Sequence, residues 1–196
     1  MYSALMSMNA SERLIEATRE LLWERGYVGT SPKAVQQAAG AGQGSMYHHF
    51  AGKQELALAA IRRSADELGA AAEAVLGVGG SAYARIEAYL LREREVLRGC
   101  PVGRLTMDPE VIAHPELRAP VEEVLGRVRG RLAEVVQEGL DSGELRSGLD
   151  PNAIAASVLA TVQGGYVLAR ATGSRAPFDS AVRGLLTLLA PPTRTP

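Results

Sequence analysis

Apolar residues return every three or four positions along nearly the whole chain, and nowhere do they alternate as a strand requires. In "SERLIEATRELLWERGY", Leu14, Ile15, Thr18, Leu21 and Leu22 share one face and Arg and Glu occupy the other. Asn9 or Ser11 is placed to cap its start, and Gly26 stands where a helix stops. "TSPKAVQQAAG" repeats the grammar: Thr30 or Ser31 as cap, Pro32 in the first turn, Val35, Ala38 and Ala39 as the apolar stripe, Gly40 as stop. "GSMYHHF" follows as another short helix. A longer helix is predicted over Lys53 to Leu76, with Ala57, Ile61, Ser64, Leu68, Ala72 and Val75 on one face. "GVGGSAY" breaks it, and a further helix is expected from Ala82 to Leu97.

"RGCPVGRLTM" reads as a turn and a short helix, and "DPEVIAHPELRAP" as a proline-rich connection. A long amphipathic helix then carries Leu117, Val121, Val124, Val128, Leu132 and Val135 inward. After the loop "DSGELRSGLDP", Asp150-Pro151 opens a helix to about Ala171, and the last helix runs from near Phe178 to Leu189. The fold class that follows is all-α, with about nine helices and no internal repeat.

Composition narrows the partners. Apolar residues at 46% and charged residues at 22% are those of an ordinary globular chain. No apolar run reaches the roughly 18 residues of a membrane span, and the first residues lack a signal-peptide pattern. The single cysteine, Cys100, excludes an internal disulfide framework and fits a reducing cytoplasm. A net charge of −1 does not announce a nucleic-acid partner, although a dimer can gather its cations on one face.

Why "AAGAGQGSMYHHF" should follow a glycine-broken turn is the functional question. Met46 and Phe50 lie one helical turn apart and point together toward a core. Gly44 and His48 then face outward, with Ser45 and His49 on one flank and Tyr47 on the other. A helix with small residues at its start can approach a groove closely, and its free N–H groups and dipole attract phosphate. Three short helices followed by a long one have the layout of a helix-turn-helix unit. The metal alternative is poor: adjacent helical residues point about 100° apart, and the remaining histidine, His114, lies in a distant loop. No nucleophile elbow, phosphate loop or HExxH is present, so no catalytic residue, metal or cofactor is assigned.

The ordered set "TSPKAVQQAAGAGQGSMYHHFAGKQEL", with "ERGY" before it, resembles the DNA-binding signature of the TetR family of transcriptional regulators across residues 12 to 56. That resemblance implies an all-α homodimer whose third helix enters the major groove of operator DNA. It also implies a C-terminal domain holding a small-molecule effector pocket and the dimer interface. By position it makes Thr30, Ser45, Tyr47, His49 and Lys53 phosphate contacts, and Lys33, Gln43, Gly44 and His48 base or groove contacts. The domains expected are 9–56 for DNA binding, 57–190 for effector binding and dimerisation, and 191–196 as a frayed tail. There are two departures from the family pattern: Gly42 is an acceptable cap but offers no side-chain oxygen, costing a few tenths of a kcal/mol of helix stability, and Gln43 stands where a cation is common, which should weaken non-specific affinity. Five Arg and Lys face five Glu between residues 12 and 56, so the unit has no basic surplus.

In the second half, Ala153, Ala156, Ala160 and Gly164 form a small-residue stripe that, with Leu185, Leu188 and Leu189, suits the family's interface between final helices. The "GCP" segment at Cys100 resembles the LmrA/YxaF-type subgroup. Packing is the commoner role for Trp23 and for Cys100. Tyr89, Cys100, Leu105, Met107, Val124, Tyr166 and Val167 are the expected pocket residues, for a mostly apolar or aromatic effector. Filling the pocket through Gly165→Leu is then expected to abolish the response to effector. The reading is a cytoplasmic, effector-released repressor. The alternative is a helical ligand-binding protein or enzyme with a vestigial helix-turn-helix, which has no reason to keep polar groups outward on "GSMYHHF".

Overall fold

The structure is a computed structural model describing residues 9–191. Most of the expected tail therefore lies outside the described residues. Among these residues there are nine α-helices, one short 3-10 helix and no strand. The helices are α1 (Ala10–Arg25), α2 (Pro32–Ala39), α3 (Gln43–His49), α4 (Lys53–Leu76), α5 (Ala82–Leu91), α6 (Pro109–Ala113), α7 (Pro115–Asp141), α8 (Pro151–Thr172) and α9 (Ala176–Leu189). The 3-10 helix spans Gly103–Met107. Two compact units form out of chain order. Residues up to Glu67 join Pro101–Glu123, while Leu68–Cys100 join the chain from Val124 onward.

In the first unit, α1 starts at Asn9, whose side chain accepts the Glu12 N–H at 2.9 Å. It buries Leu14, Ile15, Ala17, Thr18, Leu21 and Leu22. Gly26 ends it with φ +74°, and a Cβ there would meet Asp108 Oδ2 at 2.7 Å. Only glycine meets both demands. Asp108 is itself buried. One oxygen caps α6 by accepting the N–H groups of Glu110 (3.1 Å) and Val111 (3.3 Å), and the other accepts Val28 N–H at 3.0 Å. This carboxylate therefore ties the turn after α1 to the segment before α7. The supposed proline-rich connection is thus mostly helix, because Asp108-Pro109 and Pro115 open helices rather than end them.

In the second unit, α5 stops at Leu91, six residues before the expected end at Leu97. Arg94 turns back and donates to the carbonyls of Leu90 at 2.8 Å, Arg92 at 2.9 Å and Tyr89, satisfying the acceptors that a continued helix would have used. At the other end, Glu144 accepts the Ala82 and Tyr83 N–H groups at 2.8 and 2.9 Å. Helix α7 buries Leu117, Val121, Val124, Val128, Leu132 and Val135 as expected. On α4 the inward row ends at Leu76, not Val75, and on α2 Ala38 is exposed while Val35 and Ala39 are buried.

Helices α8 and α9 pack along each other, with the Tyr166 and Phe178 rings 5.3 Å apart. Gly165 is what lets them approach: a Cβ there would lie 2.7 Å from Phe178 Cδ2. Gly165 is therefore a helix-packing position, and a leucine there would force α9 away rather than fill a pocket. Contrary to the expectation from sequence, α8 is long and apolar enough to cross a membrane by length and composition. Arg170 in its last turn is its single charged residue, the other polar side chains being Ser, Thr, Asn, Gln and Tyr, and Val167 and Leu168 stand exposed on it.

Candidate DNA-binding face and effector core

Helix α2 is fixed at both ends. Ser31, not Thr30, is its cap, accepting Ala34 N–H at 3.2 Å, and Gly40 closes it in the left-handed conformation at φ +58°. The two residues Ala41 and Gly42 then lead into α3, which opens at Gly42 without a side-chain cap. Met46 is fully buried and Phe50 nearly so, and Gln36 Nε2 reaches Met46 Sδ at 3.4 Å. These contacts set the rotation of α3 about its axis. Gln43, Gly44, Tyr47, His48 and His49 are consequently exposed and Ser45 is half-buried. Tyr47 is 51% exposed, and the His48 and His49 rings meet edge to face at 4.9 Å. Lys33 is exposed on α2.

Two of the residues named as phosphate contacts are engaged with the protein. Thr30 is 2% exposed and its hydroxyl donates to Gly26 O at 2.7 Å, so its side chain closes the turn between α1 and α2 and is unavailable to DNA. Lys53 is half-buried, with Nζ 3.9 Å from the centre of the Tyr27 ring. Desolvation lowers the Lys53 pKa, against the pull of Asp108 and Glu110; burial, then the same two carboxylates, raises that of Tyr27. Most other cations of this unit are tied up as well. Arg63 pairs with Glu12 at 2.9 Å, Arg19 pairs with Glu16 at 2.9 Å and with Glu67, and Arg13 donates to Ala39 O at 3.2 Å. The α3 face therefore offers hydrogen-bonding groups with little surplus positive charge.

The expected pocket residues fall into separate groups. Tyr89, Cys100 and Tyr166 are buried in the second unit, where each acts electrostatically on Arg94. Burial pushes the Tyr166 phenol up to about 12, against the pull of Arg94. Val124, also buried there, instead faces Gly69 of α4, whose Cβ would lie 3.6 Å from Val124 Cγ2. Leu105 is buried in the first unit. Met107 is 85% exposed at the end of the 3-10 helix, and Val167 is 67% exposed, so neither lines a core.

Sequence reasoning missed Asp108, Arg92 and Arg94. Asp108 carried a usable signal, since Asp-Pro-Glu is a helix start. "LRERE" carried none, because it reads equally well as a solvated helix face.

Against known proteins, residues 14–60 match the model for bacterial regulatory proteins of the tetR family, and residues 82–185 match the tetracyclin repressor-like C-terminal domain. The transcriptional repressor AcnR of Corynebacterium glutamicum is 29% identical over 182 residues, covering 91% of this chain and 90% of its own. A TetR transcriptional regulator from Chloroflexus aurantiacus superposes with a TM-score of 0.80 at 28% identity, covering 91% of this chain and 92% of its own. The regulator FadR of Bacillus subtilis, solved in complex with stearoyl-CoA, shares the fold with a TM-score of 0.69 at 18% identity, covering 91% and 97%.

Proposed function

The chain belongs to the TetR family of bacterial regulatory proteins, and from that premise we propose that it is a ligand-responsive transcriptional repressor acting as a cytoplasmic homodimer. It binds a palindromic operator through α3 and leaves it when a small effector occupies the C-terminal core. It works by binding, without catalysis. Residues 9–56 carry DNA recognition and 57–190 carry effector binding and dimerisation. The Gly99-Cys100-Pro101 sequence after α5 is what favours placement beside the LmrA/YxaF-type members.

The observation that carries this reading is the fixed rotation of α3. Met46 and Phe50 anchor it from below, so Gln43, Gly44, Tyr47, His48 and His49 are turned to solvent. Ser45 flanks that row, and Lys33 and Lys53 supply the nearby cations; the Thr30 side chain is withdrawn from the set. For the dimer, Thr161, Gly164, Leu168, Ala181, Gly184, Leu185 and Leu188 line one shallow apolar depression across α8 and α9. The Ala153, Ala156 and Ala160 positions continue it as exposed small residues along α8. Binding the effector more tightly in the DNA-free conformation releases operator, and operator weakens the effector by the same factor.

Selection of bound sequences from random duplex DNA tests the proposal. A two-fold symmetric motif with half-sites spaced by one helical turn or a multiple is expected. Recovery of no enriched motif at low salt contradicts it.

A further inference from the structure

Several arginines among the described residues are held by acids. Arg19, Arg63, Arg85 and Arg131 each pair with one or more glutamates. Arg92 and Arg94, directly after α5, do not: among the described residues no Asp or Glu is ion-paired with either. The neighbouring Glu93 and Glu95 are exposed, and Glu95 is turned to Arg98 at 3.8 Å. Both guanidiniums nevertheless gather on the same ring, with Cζ 5.3 Å (Arg92) and 5.4 Å (Arg94) from the Tyr89 centroid. Arg94 also lies 5.9 Å from Phe178, which packs against Tyr166. The Nε atoms of both arginines, like that of the acid-paired Arg131, are buried without a hydrogen-bond partner, so the missing carboxylate is what distinguishes them.

Capping of α5 accounts for the terminal nitrogens of Arg94, but not for its Nε, and not for Arg92. Burial holds the Arg94 pKa below its usual range, and repulsion from Arg92 adds to that. Two like charges drawn partly out of water onto one aromatic ring, with no carboxylate between them, are unfavourable unless an anion joins them. The terminal nitrogens of Arg94 already donate to carbonyls, so Arg92 presents the planar donor fork that an oxyanion matches and Arg94 adds its charge.

We infer that Arg92 and Arg94, beside the rings of Tyr89, Phe178 and Tyr166, form a site for an oxyanion, a carboxylate or a phosphate, carried by an aromatic or apolar effector. This rests on the effector reading above and sharpens it: the ligand is an anionic amphiphile rather than a neutral apolar molecule. The aromatic rings take the ligand's apolar body, and the arginines take its charged end.

Calorimetric titration of the full chain with benzoate, phenyl phosphate and neutral benzamide is the test. One of the two anions is expected to bind at least about tenfold more tightly than benzamide, the size of one charge-assisted contact. Whichever anion binds better identifies carboxylate or phosphate as the natural group. In Arg92→Gln, with an unchanged thermal melt, the preference for the anion over benzamide should disappear. Benzamide matching the better anion, no heat from any anion up to its solubility, or an intact preference in Arg92→Gln each overturns the site. Should Arg92→Gln not fold, the comparison of anion with benzamide on the unaltered chain still decides. No DNA enters this titration, so its failure removes the anion site and leaves operator selection standing. Failed selection with benzoate bound removes the regulator instead.

Discussion

A single hydroxyl separates two accounts of Thr30. A threonine beside a helix start suits a phosphate contact and a turn-closing residue equally well, and only tertiary position distinguishes them. Here the side chain is buried and its hydroxyl donates to Gly26 O. Thr30→Val keeps the shape and removes the donor, so stability to urea should fall by about 1–2 kcal/mol. Operator affinity of the folded protein should hardly change. Undiminished stability with strongly weakened operator binding contradicts this placement. Met46 and Phe50 were legible for the opposite reason: two large apolar side chains one turn apart on a polar helix have only one direction to face. Arg92 and Arg94 were hidden because nothing local tells a solvated arginine from one folded onto Tyr89.

At the scale of elements, helix type and order were readable because the 3.6-residue period persists through α1, α4, α7 and α8. Boundaries set by long-range contacts were not. Helix α5 ends early because Arg94 takes its last carbonyls, and α6 exists because Asp108 caps it. On α8 the two faces differ. The inner one carries Gly165 against Phe178, and the outer one carries exposed Ala153, Ala156, Ala160 and Gly164. Ala160→Glu places a charge on the outer face without touching the α8–α9 contact. It is expected to fold with an unchanged melting profile at low concentration yet sediment as a monomer, because an unpaired carboxylate in a close helix interface is strongly unfavourable. A dimer that persists and still protects a palindrome contradicts the assignment of that face. Gly165→Ala, in contrast, should lower stability by about 1–3 kcal/mol through overpacking against Phe178, as a urea titration would record.

For the whole molecule, the proposed dimer must hold two copies of α3 about 34–36 Å apart, or a multiple of one helical turn. Helix α4 begins at Lys53, four residues after α3 ends at His49, and its 24 residues continue into the second compact unit. At 1.5 Å per residue it is about 36 Å long, so a small tilt moves its ends by several ångströms. With no basic surplus around α3, binding should rest on shape and hydrogen bonds, with a shallow dependence on salt. The most direct test of this account is the affinity of the wild type and Tyr47→Ala for the selected palindrome, measured by anisotropy across a salt series. Tyr47 is 51% exposed, so the variant should melt as the wild type does. It should bind the palindrome at least about tenfold more weakly, in keeping with loss of a phosphate hydrogen bond at a desolvated contact. Equal affinity of a folded Tyr47→Ala at every salt concentration would contradict docking through α3.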